Sequence, residues 1–351
     1  MECVNKYRYL GIEFTSDGCM KSAQINVKQR ALKAIFKLRS SLQGCNVSPH
    51  LSLKLFDQMI KPIALYGSEI WANMPFTKKS YNQETILKYM DKLAVENLHT
   101  RFCKYILGVH SKATNSAVMG ELGRYPLGVD ILVHMLKFYD HLKAHTNVLV
   151  SSALQESVNL HEGGSRSWVS FIKGVVEDGT FPQRNLNPHS NARILKNKLV
   201  STVQCNWRAA VMNNESKLLF YKSFKSNFTY EKYLSLVKSR KERTALTKIR
   251  ISAHRLPIER GRYAKPKPIP REERWCTYCK KSNNLVIGDE YHIFSTCPKF
   301  DKERKHLFDQ VSVICPAFSD LDDRQKIIFL MTAEGDIPAL VARFAYVSSL
   351  D

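Results

Sequence analysis

The chain has no run of about 18 or more apolar residues, so it offers no candidate membrane span. Its opening residues, MECVNKYRYLGIEF, are too short and too mixed to read as a secretory leader. Acidic residues are scarce: 32 Asp and Glu face 53 Lys and Arg, a formal net charge of +21. That imbalance points to a polyanionic partner, nucleic acid first and an anionic membrane surface second. No internal repeat is present, which sets aside solenoids and propellers. Paired cysteine spacing is also missing over most of the chain. Of nine cysteines, Cys3, Cys19, Cys45, Cys103, Cys205 and Cys315 are scattered. A disulfide framework is therefore not expected. The pattern suits a reducing compartment, nuclear or cytoplasmic, rather than a secreted protein.

What is present is enough for folding. The chain has 351 residues, 44% of them hydrophobic, which allows two or three domains with a real core. The remaining three cysteines stand in WCTYCKKSNNLVIGDEYHIFSTC. Cys276, Cys279, His292 and Cys297 read C-x2-C-x12-H-x4-C. Three thiolates and one imidazole can close a tetrahedral zinc site, and four protein ligands leave no open position for a catalytic water. The expected cofactor is thus a structural Zn2+. Gly288 and Asp289 suit a turn between the ligand pairs, and Trp275 and Phe294 can pack around the ion. Cys315, in VSVICPAF, is a possible substitute ligand but reads better as a small core residue.

The rest of the chain reads as mainly helical. Tyr7 to Thr15 suggests one short strand closed by Ser16-Asp17-Gly18. A helix is expected over 21–43, with Ala31, Ile35, Leu38 and Leu42 on one face. A second is expected over 51–66, kinked by Pro62. A long helix over 84–107 carries Leu87, Met90, Ala94, Leu98, Phe102 and Ile106 and stops at Gly108. Further helices are expected over 113–123 and 128–145. Residues 146–190, with Gly163-Gly164 and Pro182 to Pro188, read as a flexible connection. Helical pattern returns at 191–212, 230–240 and 301–311, and again beyond Asp322. From Lys238 to Arg274 the sequence holds 13 Lys/Arg and 4 acids, a local charge of 13 − 4 = +9. Pro266, Pro268 and Pro270 stiffen the end of this belt.

Four blocks now resemble the C-terminal part of the reverse transcriptase protein of non-LTR (LINE-like) retrotransposons. Tyr7-Arg8-Tyr9-Leu10-Gly11-Ile12 resembles a primer-grip strand, with Tyr9, Leu10 and Gly11 as the primer-grip-like residues. Lys61 to Trp71, KPIALYGSEIW, is similar to the thumb region. The third block is Gly120 to Leu127, GELGRYPL. The fourth contains Arg250-Ile251-Ser252-Ala253-His254, Arg260-Gly261-Arg262-Tyr263, Arg274-Trp275-Cys276, Asp289 to Phe294, Cys297-Pro298 and Arg304. It resembles the zinc-binding region downstream of such polymerases. The resemblance implies a primer-grip remnant over 1–18, a helical thumb-like domain over 19–147 and a helical or linker region over 148–235. The basic belt with a small C2HC zinc module follows over 236–311, then a C-terminal helical segment over 312–351.

The family's catalytic Tyr-x-Asp-Asp hairpin, whose carboxylates hold two metal ions, has no counterpart here. The one Asp-Asp, Asp322-Asp323, opens a helical pattern and suits a helix N-terminus. Asp320, Asp323 and Lys326 imitate a nuclease only loosely, without the Pro-Asp dipeptide. The chain is therefore expected to be no enzyme on its own. It resembles a fragment, a decayed copy or a late-starting reading of a longer polymerase, or one piece whose palm-containing portion is a separate partner. The implied partners are RNA and RNA–DNA duplex. Arg250, His254, Arg255, Arg260, Arg262, Tyr263 and Arg274 are the expected nucleic-acid contacts, and Tyr263, Trp275 and Tyr278 can either stack on bases or pack on the zinc module. The rival expectation is a transposon-derived zinc-containing module that docks a protein.

Overall fold

The structure is a computed structural model and describes residues 4–73, 83–165, 167–176, 188–213 and 217–349. Among the described residues it is mainly helical, as expected from the sequence, and the expected short N-terminal strand is a two-stranded antiparallel hairpin. Among the described residues no helix is long and apolar enough to cross a membrane. Two compact units divide the chain. The first gathers 1–45, 53–101 and 125–205; the second gathers 46–52, 102–124 and 206–351. The stretch Pro182 to Asn187 of the expected connection lies outside the described residues.

The first unit opens with β1 (Lys6–Tyr9) and β2 (Ile12–Thr15), paired from Lys6↔Thr15 to Tyr9↔Ile12. Tyr9, Leu10 and Gly11, expected in one strand, instead end β1 and form the turn. Leu10 (φ 47) and Gly11 (φ 80) both take left-handed backbone, which matches the twist of a two-residue hairpin turn. Helix α1 (Lys21–Ser41) buries Ala23, Val27, Ala31, Ile35 and Leu38, one stripe at helical spacing. Next come α2 (Pro49–Leu55), α3 (Lys61–Ala64) and α4 (Ser68–Trp71). Between α2 and α3, residues Phe56–Ile60 form a π-helical turn in which the Lys61 N–H reaches the Phe56 carbonyl. The widened turn accommodates Pro62, which has no N–H to donate.

The expected helix over 84–107 is two: α5 (Gln83–Met90) and α6 (Ala94–Leu107), separated by a turn at 91–93. Helices α7 (Asn115–Leu122) and α8 (Leu127–Lys143) match expectation within a few residues. Buried Glu96 accepts the Leu127 N–H at 2.6 Å, capping α8, and holds His99 Nδ1 at 3.0 Å. The expected flexible connection is largely helical: α9 (Val148–Glu162), capped by the Asn147 side chain, and α10 (Trp168–Val176). Trp168 Nε1 donates to the Glu69 carbonyl at 2.8 Å. Helix α11 (Pro188–Met212) follows.

The second unit contains α12 (Tyr233–Leu236), α13 (Arg240–Arg250) and α14 (Pro257–Arg260), then α15 (Glu290–Ser295), α16 (Asp301–Ile314), α17 (Asp323–Thr332) and α18 (Ile337–Ser349). Helix α18 packs along α13, α16, α17 and α12. Asp322 is the N-cap of α17 in a capping box with Gln325, a helix-start role as its sequence context suggests.

At the centre of this unit lies an ionic network. Arg250 is 2% exposed and Glu121 0% exposed. Arg250 Nε and one terminal nitrogen donate to the two oxygens of Glu121 at 2.9 and 3.0 Å. The same nitrogen donates to Glu231 at 2.6 Å, and the other donates to the Met331 carbonyl. The rings of Phe224 and Tyr233 each lie 4.7 Å from the guanidinium carbon. Burial alone lowers the guanidinium pKa, but Glu121 and Glu231 turn the net shift upward, so the charge is held.

Candidate metal centre

Cys276, Cys279, His292 and Cys297 come together in the second unit. All four are buried, and their ligand atoms lie within 4.8 Å of one another. Cys276 Sγ is 3.9 Å from Cys297 Sγ, and Cys279 Sγ is 3.3 Å from His292 Nε2. A tetrahedral ion with bonds of about 2.3 Å to sulfur and about 2.0–2.1 Å to nitrogen needs edges of about 3.8 Å (S···S) and 3.6 Å (S···N). The donor set therefore has the size and the chemistry to hold a metal ion.

Local structure sets each ligand. Trp275 and Ile287 form an antiparallel bridge. The Cys276 N–H donates to the Val286 carbonyl at 2.7 Å, and the Gly288 N–H donates to Arg274 at 2.9 Å. Gly288 passes so close to Cys276 that a Cβ there would lie 2.9 Å from Cys276 Cα and 2.7 Å from Pro257 Cγ. Only glycine fits that approach. Cys279 begins a short 3-10 turn ended by Asn283 in left-handed backbone. On the other side Asp289 caps α15 by accepting the His292 N–H at 2.9 Å. The Cys297 N–H donates to the His292 carbonyl at 2.9 Å, placing the last two ligands at the end of one helical turn.

Outer contacts aim the ligands. His292 Nδ1 is 3.0 Å from Thr296 Oγ1, which leaves Nε2 for the metal position. Buried Arg304 donates to the carbonyls of Ile293 and Cys297 at 3.1 and 3.0 Å and pairs with Asp301. Burial pushes the Cys297 thiol up to about 12 and the Cys279 thiol up as well. Burial, followed by the Arg304 charge, lowers the His292 pKa. The pocket by itself favours neutral ligands; a bound cation favours the thiolates. Thr296 carries no motif signature, yet its place one turn after His292 was readable as an i,i+4 pair. Phe294, fully buried on α15 between His292 and Cys297, packs against Phe344, ring centroids 4.9 Å apart. Lys280 Nζ covers the Trp275 ring at 4.8 Å, and Tyr278 is exposed.

The expected nucleic-acid contacts separate into two groups. Arg250 is a correction: it is 2% exposed and makes four hydrogen bonds to Glu121, Glu231 and Met331, so it presents no surface to phosphate. The His254 side chain is 4% exposed; its Nε2 meets Glu290 Oε1 at 2.8 Å, and its Nδ1 accepts the Leu256 N–H. Ser252 donates to the same Glu290 oxygen at 2.7 Å. His254 is thus part of a buried polar cluster, also a correction. Arg255, Arg260 and Tyr263 are exposed, and Arg262 is half-buried with its Nε on Glu259 at 2.8 Å. Arg274 spends two donors on the Ile269 and Ile258 carbonyls. Tyr9, Leu10 and Gly11 sit in the first unit's hairpin.

No family model, curated protein or solved structure matches the chain.

Proposed function

We propose that this chain is a nucleic-acid-binding protein of the kind its sequence resembles: the portion of a non-LTR retrotransposon reverse transcriptase that grips an RNA template or RNA–DNA duplex. It performs no polymerisation by itself. The observation that carries the reading is the +21 net charge together with a Cys3His cluster adjoining the basic belt. Phosphates supply the counter-charge, and each neutralised phosphate releases counterions. We assign the cluster to Zn2+, because three thiolates and one imidazole at tetrahedral spacing are a zinc donor set and leave no open coordination position. When bound, the ion supplies folding energy rather than chemistry. Cys276 and Cys279 hold the hairpin side, while His292 and Cys297 hold α15. Thr296 and Arg304 orient those last two ligands.

The test is binding of the purified chain to a labelled RNA hairpin and an RNA–DNA duplex across a salt series. The reading expects submicromolar affinity at low salt that falls linearly in log–log form as salt rises. Absence of binding at low salt overturns it and leaves a protein-docking role.

A further inference from the structure

A basic patch lies in the second unit, outside the metal centre, and joins part of the belt expected from sequence, Arg240, Lys248 and Tyr263, to Tyr105 and Lys112, which are remote from it in the chain. Helix α6 ends at Gly108, whose φ is +69 and whose Cβ, if present, would lie 2.4 Å from Thr244 Oγ1. Glycine satisfies both constraints, and its contact with Thr244 brings the 108–112 loop against α13. Arg240 and Lys248 stand one turn either side of Thr244, so the three share one helix face about 12 Å long. The Arg240 guanidinium carbon lies 5.4 Å from the Tyr105 ring centroid. Lys112 Nζ lies 6.0 Å from the ring of Tyr263. Both rings are substantially exposed, Tyr105 at 38% and Tyr263 at 57%.

Around His110 positive charge is concentrated. Burial, then the charges of Lys217, Lys104, Lys248 and Lys112, lowers the pKa of His110. Lys104 donates to the Ser111 carbonyl at 2.6 Å, which ties down the loop. Lys217 Nζ is buried without a hydrogen-bond partner among the described residues. The carboxylate whose charge favours its ammonium, Glu259, is held by Arg262 at 2.8 Å. An ammonium buried without a partner is costly, and an anion on the neighbouring surface offsets part of that cost through space.

We propose that this surface, from Tyr105 and Arg240 to Lys112 and Tyr263, binds a single-stranded stretch of nucleic acid. Arg240, Lys248 and Lys112 take successive phosphates, and the two tyrosines stack on unpaired bases. The inference rests on the nucleic-acid reading above and deepens it by naming the surface and the strandedness. Exposed rings beside the cations favour a strand with free base faces over an acidic protein segment, for which charge alone would suffice.

The experiment is fluorescence anisotropy with short labelled single-stranded RNA and DNA of mixed sequence over a salt series. It compares the wild-type chain with a Lys112→Ala/Lys248→Ala variant, a Tyr263→Ala variant and a Lys33→Ala/Lys37→Ala control in α1. The proposal predicts that the Lys112/Lys248 variant lowers the log–log salt slope by about 1.4, two contacts at about 0.7 each. Tyr263→Ala weakens binding roughly five- to a hundredfold with the slope unchanged. The control changes neither slope nor affinity by as much, and Lys112→Arg/Lys248→Arg restores both, which separates lost contact from lost folding. If the wild type binds and the Lys112/Lys248 variant behaves as the control does, the assignment of this surface is overturned while the nucleic-acid reading stands. No binding by the wild type overturns both. A polyglutamate peptide that competes as well as an oligonucleotide of equal charge, with Tyr263→Ala neutral, replaces the nucleic acid with an acidic protein.

Discussion

Arg250→Met is the most informative single substitution for the fold. The guanidinium makes four hydrogen bonds, three to carboxylate oxygens of Glu121 and Glu231 and one to the Met331 carbonyl. Methionine fills similar volume but supplies none of them. Glu121, fully buried, then keeps the Tyr233 hydroxyl at 2.7 Å but has lost its cation. Removing one partner of a buried pair costs about 3–5 kcal/mol, because the remaining charge is left uncompensated. Urea denaturation followed by circular dichroism measures the loss as a drop in midpoint at constant m-value. Adding Glu121→Gln to Arg250→Met removes the stranded charge and is expected to recover about 1–3 kcal/mol. The opposite pattern refutes the reasoning: a loss under about 1 kcal/mol with weakened RNA binding would make Arg250 the surface phosphate contact that its place in a basic sequence suggests.

Other perturbations test separate parts of the structure. Thr296→Val removes the partner of His292 Nδ1 and is expected to weaken metal affinity by about 10- to 100-fold in a competition titration with a chromophoric chelator. Gly288→Ala forces a Cβ into Cys276 and Pro257 and is expected to cost about 1–3 kcal/mol by the same urea assay. Burial, followed by the charge of Glu121, holds the Tyr221 and Tyr233 phenols well above the ordinary 10.0. The unfolded chain loses those protons near pH 10 while the folded chain keeps them, so their stabilisation is complete below pH 10 and declines above it. Tyr221→Phe is expected to flatten that alkaline decline by about 1.4 kcal/mol per pH unit, read from urea midpoints at stepped pH.

The parts of this fold that were legible in sequence are the local ones. The cluster of Cys276, Cys279, His292 and Cys297 spans 22 residues, so spacing alone brought its ligands together. Helix α1 was legible because its buried stripe repeats every three or four residues. Helix α9 was hidden because none of its residues is buried; without an apolar face it has no period to read, and Gly163-Gly164 dominated the stretch. The hairpin was read as one strand because its turn consists of Leu10 and Gly11, without the usual Asn or Asp signal. Arg250 was misplaced for a different reason. Its partner Glu121 lies 129 residues away, and no local pattern announces so distant a pair. The available clue was Leu246, one turn before it on the buried face of α13, which placed Arg250 among core residues. His254 was similarly assigned to the surface by its basic neighbours, while its partner Glu290 lay 36 residues away. The lysines around His110 come from three separate stretches, Lys104 and Lys112 beside it in the chain and Lys217 and Lys248 far from it, so the convergence of the last two belongs to the fold alone.

The most direct test of the account is the binding isotherm of the zinc-loaded chain on an RNA–DNA duplex at low salt, repeated after the metal is stripped by a chelator and again after zinc is returned. The account predicts submicromolar binding that weakens on stripping and recovers on reloading, with a steep salt dependence throughout. A chain that carries no metal and binds no duplex at low salt in either state would contradict it.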